Sequence, residues 1–162
     1  MIQEITNGVG LAPENIPEEL TERPQWVCWR YAGRGGKQAK VPYTATGHRA
    51  STTDLMHWTT CANALAYYNA GHCDGIGFVF SSGDPYAGID LDNCRNPETG
   101  EVAGWAQEIL ERVGDEAYVE ASPSGAGIHI IVEGKVRGGG GRKGNIEMYS
   151  SERFFTITGK RL

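Results

Sequence analysis

Two aspartates in the segment YAGIDLDN are separated by a single residue. Asp90 and Asp92 follow an apolar run, and side chains in an extended strand alternate between its two faces. We therefore expect both carboxylates on one face, with Ile89 and Leu91 in a core on the other. Like charges side by side repel unless a positive charge lies between them, and hard oxygen ligands suit Mg²⁺ or Mn²⁺. The spacing predicts a metal site that handles phosphates.

The same alternation adds a third acid and an imidazole. In GIHIIVEGK the apolar residues share one face and leave His129 on the other. In NIEMYS the apolar residues, Met148 among them, are predicted to point inward and to leave Glu147 outward. If these strands are neighbours, His129 and Glu147 join Asp90 and Asp92 on one open sheet face. Three carboxylates can hold two divalent ions for phosphoryl displacement, and an imidazole can donate to a phosphate oxygen.

The loop ASPSGAG leads directly into the His129 strand. Its hydroxyl groups and approachable backbone amides suit a nest for an anion, and they come from Ser122, Ser124, Gly125 and Gly127. The Walker pattern is not matched, because no Gly-Lys-Ser/Thr ends the segment. Two stretches, 30–53 and 135–144, contain basic but no acidic residues although the net charge is −5. This distribution predicts a localised anionic ligand.

The elements that must position these residues begin with an aromatic strand. Strands are predicted at 25–31 and 39–43, joined by the turn GRGGKQ into a hairpin that brings Lys40 close to Arg30. The proline in the second strand favours an edge position. Thr59 is expected to cap a following helix.

The remainder of the chain is predicted to be rich in strands. DGIGFVF and DPYAGIDLD are predicted to pair as a hairpin through SSGD, and a helix is predicted at about 103–113. The strands AYVEAS, GIHIIVEGK, NIEMYS and RFFTIT follow. The glycine run 138–141 is predicted to be a mobile loop tip. The pattern as a whole indicates an α+β fold.

Bulk properties restrict the class of protein. The chain has 162 residues without a Pro- or Ser-rich linker, so one domain is expected. No apolar run approaches a membrane span and the N-terminus is not a secretory signal, so a cytoplasmic protein without a membrane partner is expected. The cysteines lack C-x-x-C spacing, so we expect free thiols and no zinc.

In combination, these motifs resemble the archaeo-eukaryotic primase superfamily. The ordered set is Asp90-x-Asp92, SPSGAGIH, IEMY and RFFTITG. It is most similar to the bifunctional primase-polymerase domain at the N-terminus of phage and plasmid replication proteins, from Gln25 to Gly159. The resemblance implies an N-terminal strand–helix unit (1–82) packed on an RRM-like, mostly antiparallel sheet (83–162), with the site in the cleft between them. It also implies a longer replication protein, in which a helicase segment is a further partner.

The resemblance also implies roles for individual residues. Asp90, Asp92 and Glu147 would be the catalytic carboxylates and ligate both metal ions, Mg²⁺ or Mn²⁺. His129 would contact the phosphates of the incoming nucleotide. Gly127 stands where serine is usual, so Ser124 or a backbone amide of the loop would supply that contact.

Cationic and aromatic residues complete the predicted site. Lys40 and Arg153 are expected to bind the triphosphate, and Arg142 and Lys143 to follow the template backbone. Tyr149 is a candidate for base stacking or for a steric gate. Trp29 is a candidate either for base stacking or for core packing.

The function predicted first is metal-dependent nucleotidyl transfer from dNTPs or NTPs, directed by a single-stranded DNA template. This is the chemistry of a DNA primase or DNA polymerase in phage or plasmid replication. A two-metal nuclease is the alternative enzyme, because three carboxylates can equally activate water. An inactive module that binds single-stranded DNA or initiates replication is the alternative from another class.

Overall fold

The computed structural model describes residues 10–34 and 37–162. Within this part of the chain the helices are α1 (Glu18–Thr21), α2 (Cys61–Asn69) and α3 (Gly104–Val113). The strands are β1 (Trp26–Arg34), β2 (Lys37–Tyr43), β3 (Gly75–Phe80), β4 (Tyr86–Leu91), β5 (Tyr118–Ala121), β6 (Ile128–Glu133), β7 (Gly140–Lys143), β8 (Ile146–Tyr149) and β9 (Arg153–Ile157). No helix in these ranges is long and apolar enough to cross a membrane.

Two antiparallel sheets form the fold, which confirms the predicted α+β class. The strand order is β2-β1-β3-β9 in the first sheet and β5-β6-β4-β8-β7 in the second. β2 is an edge strand, as its proline predicted. The C-terminal β9 crosses back to the first sheet, and the residues after it reach β5 through a bridge between Arg161 and Glu120. The two sheets are therefore tied together by the end of the chain.

The predicted hairpin of β3 with β4 is wrong, because the two strands lie in different sheets. Asp84, which is buried in the connecting turn, explains the change of sheet. Its carboxylate accepts hydrogen bonds from the backbone amides of Ser81 and Tyr86, at 2.7 and 2.8 Å, and from the side chain of Gln25, at 2.8 Å. These bonds fix a turn that directs the chain from one sheet to the other.

Lys135 supports the same turn and does not face a ligand. Its ammonium group donates to Asp84 and to the carbonyl oxygens of Ser81, Tyr86 and Ser150, at distances from 2.7 to 3.3 Å. Lys135 was counted in the basic stretch that predicted an anionic ligand. For this residue the prediction is wrong, since its charge compensates a buried carboxylate.

The glycine run was predicted to be a loop tip, but part of it is edge strand. Gly140 and Gly141 lie in β7 opposite Tyr149 and Met148 of β8. Gly140 has a φ of 136°, and a side chain there would collide with the backbone of Met148. Met148 lies opposite Ile89, on the face that was predicted to point inward, and is 39% exposed there.

The predicted helices are present, with one change at a cap. Thr60, and not Thr59, caps α2, and its hydroxyl accepts a hydrogen bond from the amide of Asn63 at 3.1 Å. Thr59 is unavailable for this role because its backbone pairs with Trp26. α3 ends before Gly114, which has a φ of 70°.

The core has two parts, one on each face of the second sheet. α3 covers the face that carries Ile89, Leu91, Ile128 and Ile130. The opposite face packs against the first sheet, where Gly88 leaves no room for a side chain beside Phe80 and Phe155. Asp90 shares this second face, since it is two residues along the strand from Gly88. The sequence predicted an open face, but the structure shows one that is partly covered by the first sheet.

Candidate active site

Five directly opposed residues form a row across the second sheet, one from each strand. In spatial order they are Glu120, His129, Asp90, Glu147 and Arg142, and we refer to them as the central row. Directly opposed side chains in antiparallel strands share a face, with their Cβ atoms about 5 Å apart. The prediction that Asp90, Glu147 and His129 lie together on one face is therefore confirmed.

Asp92 joins the central row through Arg142. It lies just past β4, where its backbone amide donates to the carbonyl of Asn145 at 2.8 Å. The guanidinium of Arg142 donates to Asp92 at 3.1 Å and to the carboxylate of Glu147. Arg142 thus places positive charge between two of the three predicted metal ligands. The neighbouring Lys143 lies opposite Ile146 and is exposed on the other face of the sheet, so the structure does not bring it to the acids.

Burial and neighbouring charges set the protonation of Asp90. Burial raises its pKa, and the negative charges of Asp92 and Glu147 act in the same direction. His129 and Lys40 oppose that shift. Burial also lowers the pKa of Lys40, whereas the charges of Asp90 and Asp92 favour its protonated form. Lys40 of β2 therefore supplies a cation from the first sheet to the acids of the second.

Lys40 and Arg30 are close along the backbone of the hairpin, as predicted, but their side chains lie on opposite faces of the sheet. Lys40 lies opposite Tyr31, whereas Arg30 lies opposite Val41. Arg30 donates to the hydroxyl of Tyr67 at 2.9 Å, so its charge is directed toward α2 and not toward the acids.

His129 lies between two carboxylates and is only 5% exposed. Its Nδ1 is 3.2 Å from Glu120, and its Nε2 is 3.6 Å from Asp90, which is too long for a hydrogen bond. Burial alone would lower the pKa of His129, but the hydrogen bond and charge of Glu120, together with the charge of Asp90, raise it overall. Glu120 holds the ring at Nδ1, so that Nε2 is directed toward Asp90.

Glu120 was not identified from the sequence, although it is the buried end of the central row. Its carboxylate accepts hydrogen bonds from the amides of Thr158 and Gly159 and from the hydroxyl of Tyr118, at 2.8 to 3.0 Å. The alternation rule that placed His129 would have placed Glu120, because Val119 and Ala121 flank it in a predicted strand. Glu120 fixes the orientation of His129.

The loop before His129 uses its hydroxyl groups internally. Ser122 accepts from the amide of Gly127 at 3.0 Å, and Ser124 accepts from the amide of Ala126 at 3.2 Å. The carbonyl of Gly125 accepts from Arg95 at 2.9 Å. These bonds preform the loop close to the end of β4.

Close packing explains why Gly127 stands where serine is usual in the family that the sequence resembles. A Cβ at this position would lie 2.9 Å from the carbonyl oxygen of Leu91 and 3.1 Å from the hydroxyl of Ser122. The close approach of the loop to β4 therefore requires glycine.

The remaining predicted residues occupy the flanks of this face. Tyr149 lies two residues from Glu147 and opposite Gly88, and the guanidinium of Arg153 lies over its ring at 4.9 Å. Trp29 is buried and donates to the carbonyl of Ile76 at 3.0 Å. Arg153 thus lies over the ring of Tyr149, which was predicted to stack on a base.

Carboxylate oxygens are the donors that the predicted metal site offers. Across residues 10–34 and 37–162, no group of three or more His, Cys, Asp and Glu side chains is arranged to hold a metal ion. Arg142 instead supplies the positive charge shared by Asp92 and Glu147. Hard carboxylate oxygens that converge on one cation are chemically suited to Mg²⁺ or Mn²⁺.

Sequence similarity relates the chain to one class of known proteins. No protein-family model matches the sequence. The chain is 33% identical over 148 residues to a protein named DNA primase-polymerase from Nitratiruptor phage NrS-1. The chain is related to the primase-polymerases. The match covers 87% of this chain, and the chain spans about one fifth (20%) of its primase-polymerase relative.

Proposed function

We propose that the chain is the catalytic core of a metal-dependent, template-directed nucleotidyltransferase. It would act as a DNA primase or DNA polymerase in phage or plasmid DNA replication, on single-stranded DNA with dNTPs or NTPs. The observation that carries the proposal is the register that places Asp90 directly between His129 and Glu147. The similarity to the phage primase-polymerase supports the same chemistry.

We propose that the second sheet is the RRM-like half of a primase-type core, and that 1–82 and 83–162 form one domain in which β9 of the second segment completes the first sheet. We also propose that the chain is the N-terminal part of a longer replication protein with a helicase segment.

Asp90, Asp92 and Glu147 are the proposed ligands of two Mg²⁺ or Mn²⁺ ions. Bound there, the ions would activate a 3′-hydroxyl and neutralise the triphosphate. Arg142 has to leave Asp92 and Glu147 for this, and its side chain, which is 55% exposed on an edge strand, has solvent to move into. Once released, Arg142 and the adjacent Lys143 are proposed to bind the template backbone.

The chain's own side chains position the nucleotide. Because Glu120 holds Nδ1 and Asp90 is beyond hydrogen-bond distance, Nε2 of His129 is proposed to donate to a phosphate oxygen. Lys40 and Arg153 are proposed to add positive charge. The loop of Ser124, Gly125 and Gly127 is proposed to bind the triphosphate through the hydroxyl of Ser124, because the amides of Gly125 and Gly127 already donate to Ser122.

A primer-extension assay in Mg²⁺ or Mn²⁺ tests the proposal. We expect the wild-type chain to lengthen a primer only when template and nucleotides are present, and expect Asp90→Asn and Asp92→Asn to abolish extension. Asp115→Asn is the matched control, since Asp115 is exposed after α3. Shortening of the strand would indicate the nuclease instead. A gel shift of single-stranded DNA without extension would indicate the binding module.

A further inference from the structure

A pocket lies between the end of β1 and the loop that precedes His129. Its aromatic lining residues are Trp29, Tyr31 and Tyr68, and Pro123 from the loop also lines it. Its volume is ≈ 170 Å³. An apolar cavity of about 150 Å³ can bind benzene, so this volume accommodates a flat ring.

Trp29 and Tyr31 form a corner of the pocket, in which the ring of Trp29 is held in place by its packing. Their rings meet at 84° with centroids 4.9 Å apart. Trp29 packs closely over Gly75, where a Cβ would lie 2.6 Å from the indole. Tyr31 is 43% exposed, so part of this residue is accessible to a ligand. This geometry favours a planar heterocycle stacked on Tyr31 against the edge of Trp29.

Asp74 adds a polar group to the rim. Its Oδ2 accepts a hydrogen bond from the backbone amide of Tyr31 at 2.8 Å, which fixes the carboxylate beside the aromatic corner. An ionised carboxylate has about four acceptor sites, so Asp74 can accept further hydrogen bonds. Exocyclic amino groups of bases are suitable donors to such a carboxylate.

The pocket adjoins the phosphate side of the candidate active site. Pro123 belongs to the proposed anion loop, and the amide of Thr158 on the rim donates to Glu120 of the central row. Tyr31 lies directly opposite Lys40, the cation whose charge interacts with Asp90. A base in the pocket would therefore have its phosphates near Lys40 and the anion loop.

We propose that this pocket binds a nucleobase, and that it prefers the amino-bearing bases adenine, guanine and cytosine over thymine and uracil. The inference rests on the proposed function, because it supplies that site with a base-recognition surface. The base belongs to an incoming nucleotide or to the single-stranded template, and the same stacking chemistry serves both.

Calorimetric titration in Mn²⁺ separates the base from the phosphates. Wild type, Tyr31→Ala and Tyr31→Phe are titrated with dATP, dTTP and inorganic tripolyphosphate, and with an oligo-dA strand and its abasic counterpart. Loss of stacking in Tyr31→Ala should weaken binding of the base-bearing ligand about 5- to 150-fold. Binding of tripolyphosphate and abasic strand should not change. Tyr31→Phe should retain binding, and Trp105→Ala on α3 is the control for loss of an exposed aromatic ring.

The ligand affected identifies the source of the base. Weakened dATP binding assigns the pocket to the incoming nucleotide, and weakened oligo-dA binding assigns it to the template. Asp74→Asn should reduce the preference for dATP over dTTP, or for oligo-dA over oligo-dT, by about fivefold.

Two results would overturn the inference, and they are distinguishable. If Tyr31→Ala binds every ligand as wild type does while tripolyphosphate still binds, the pocket does not hold a base and the proposed function stands. If the wild-type chain binds neither tripolyphosphate nor dATP in Mn²⁺, the proposed function fails and this inference with it.

Discussion

Replacement of Arg142 by alanine is expected to tighten the binding of Mn²⁺ to the chain. The guanidinium pairs with Asp92 and Glu147, so it competes with a cation for the same oxygens. The side chain of Arg142 is 55% exposed and that of Asp92 is 37% exposed, so solvent weakens these pairs. At roughly 0.5–1 kcal/mol for each pair, removal of both gives about 5- to 30-fold higher Mn²⁺ affinity.

The measurement is a titration of Mn²⁺ into each variant, followed by the electron paramagnetic resonance signal of the free ion. Lys143→Ala is the matched control, because it removes one positive charge from the same strand at the adjacent position, which faces the opposite side. If only the long-range effect of losing one positive charge mattered, both variants would bind Mn²⁺ more tightly by the same factor. Equal affinities in Arg142→Ala and Lys143→Ala, or a weaker affinity in Arg142→Ala than in wild type, would refute competition by Arg142.

Three further predictions concern stability. Lys135→Met should lower the free energy of unfolding by about 2–3 kcal/mol in chemical denaturation, because it leaves the buried Asp84 without its cation; an unchanged midpoint would contradict this. Gly127→Ala should cost about 1–3 kcal/mol in the same assay, because its Cβ would meet the carbonyl of Leu91, and wild-type stability would show that the loop has room. Folding raises the pKa of His129. The positive charge of its ring therefore stabilises the folded chain fully below pH 6.5, the ordinary pKa of histidine. This contribution is lost as the pH rises through the raised pKa of the folded state. The stability difference between wild type and His129→Gln should therefore shrink with rising pH, and a constant difference would contradict that.

The sequence predicted the parts of the site that depend on local alternation. Asp90, His129 and Glu147 each sit in a short run whose apolar neighbours define a buried face, so a period of two was sufficient to place them on one face. The helix at 104–113 and the edge position of β2 were likewise predicted from periodicity and from proline.

The incorrect predictions concern pairing between distant segments. The turn after β3 has the composition of a hairpin, and only contacts of Asp84 with Gln25 and Lys135 show that it changes sheet. The glycines of β7 carry no apolar pattern, so neither the strand nor the position of Arg142 beside Glu147 could be predicted. Such pairings depend on which strands become neighbours, and local propensity does not contain that information.

Diffraction data from crystals grown with Mn²⁺ and a non-hydrolysable nucleotide, collected at the manganese absorption edge, test the central claim most directly. We predict anomalous peaks between Asp90, Asp92 and Glu147, with Arg142 moved away from them and the triphosphate beside His129. Manganese bound at other residues, with Arg142 still paired to Asp92 and Glu147, would contradict the account.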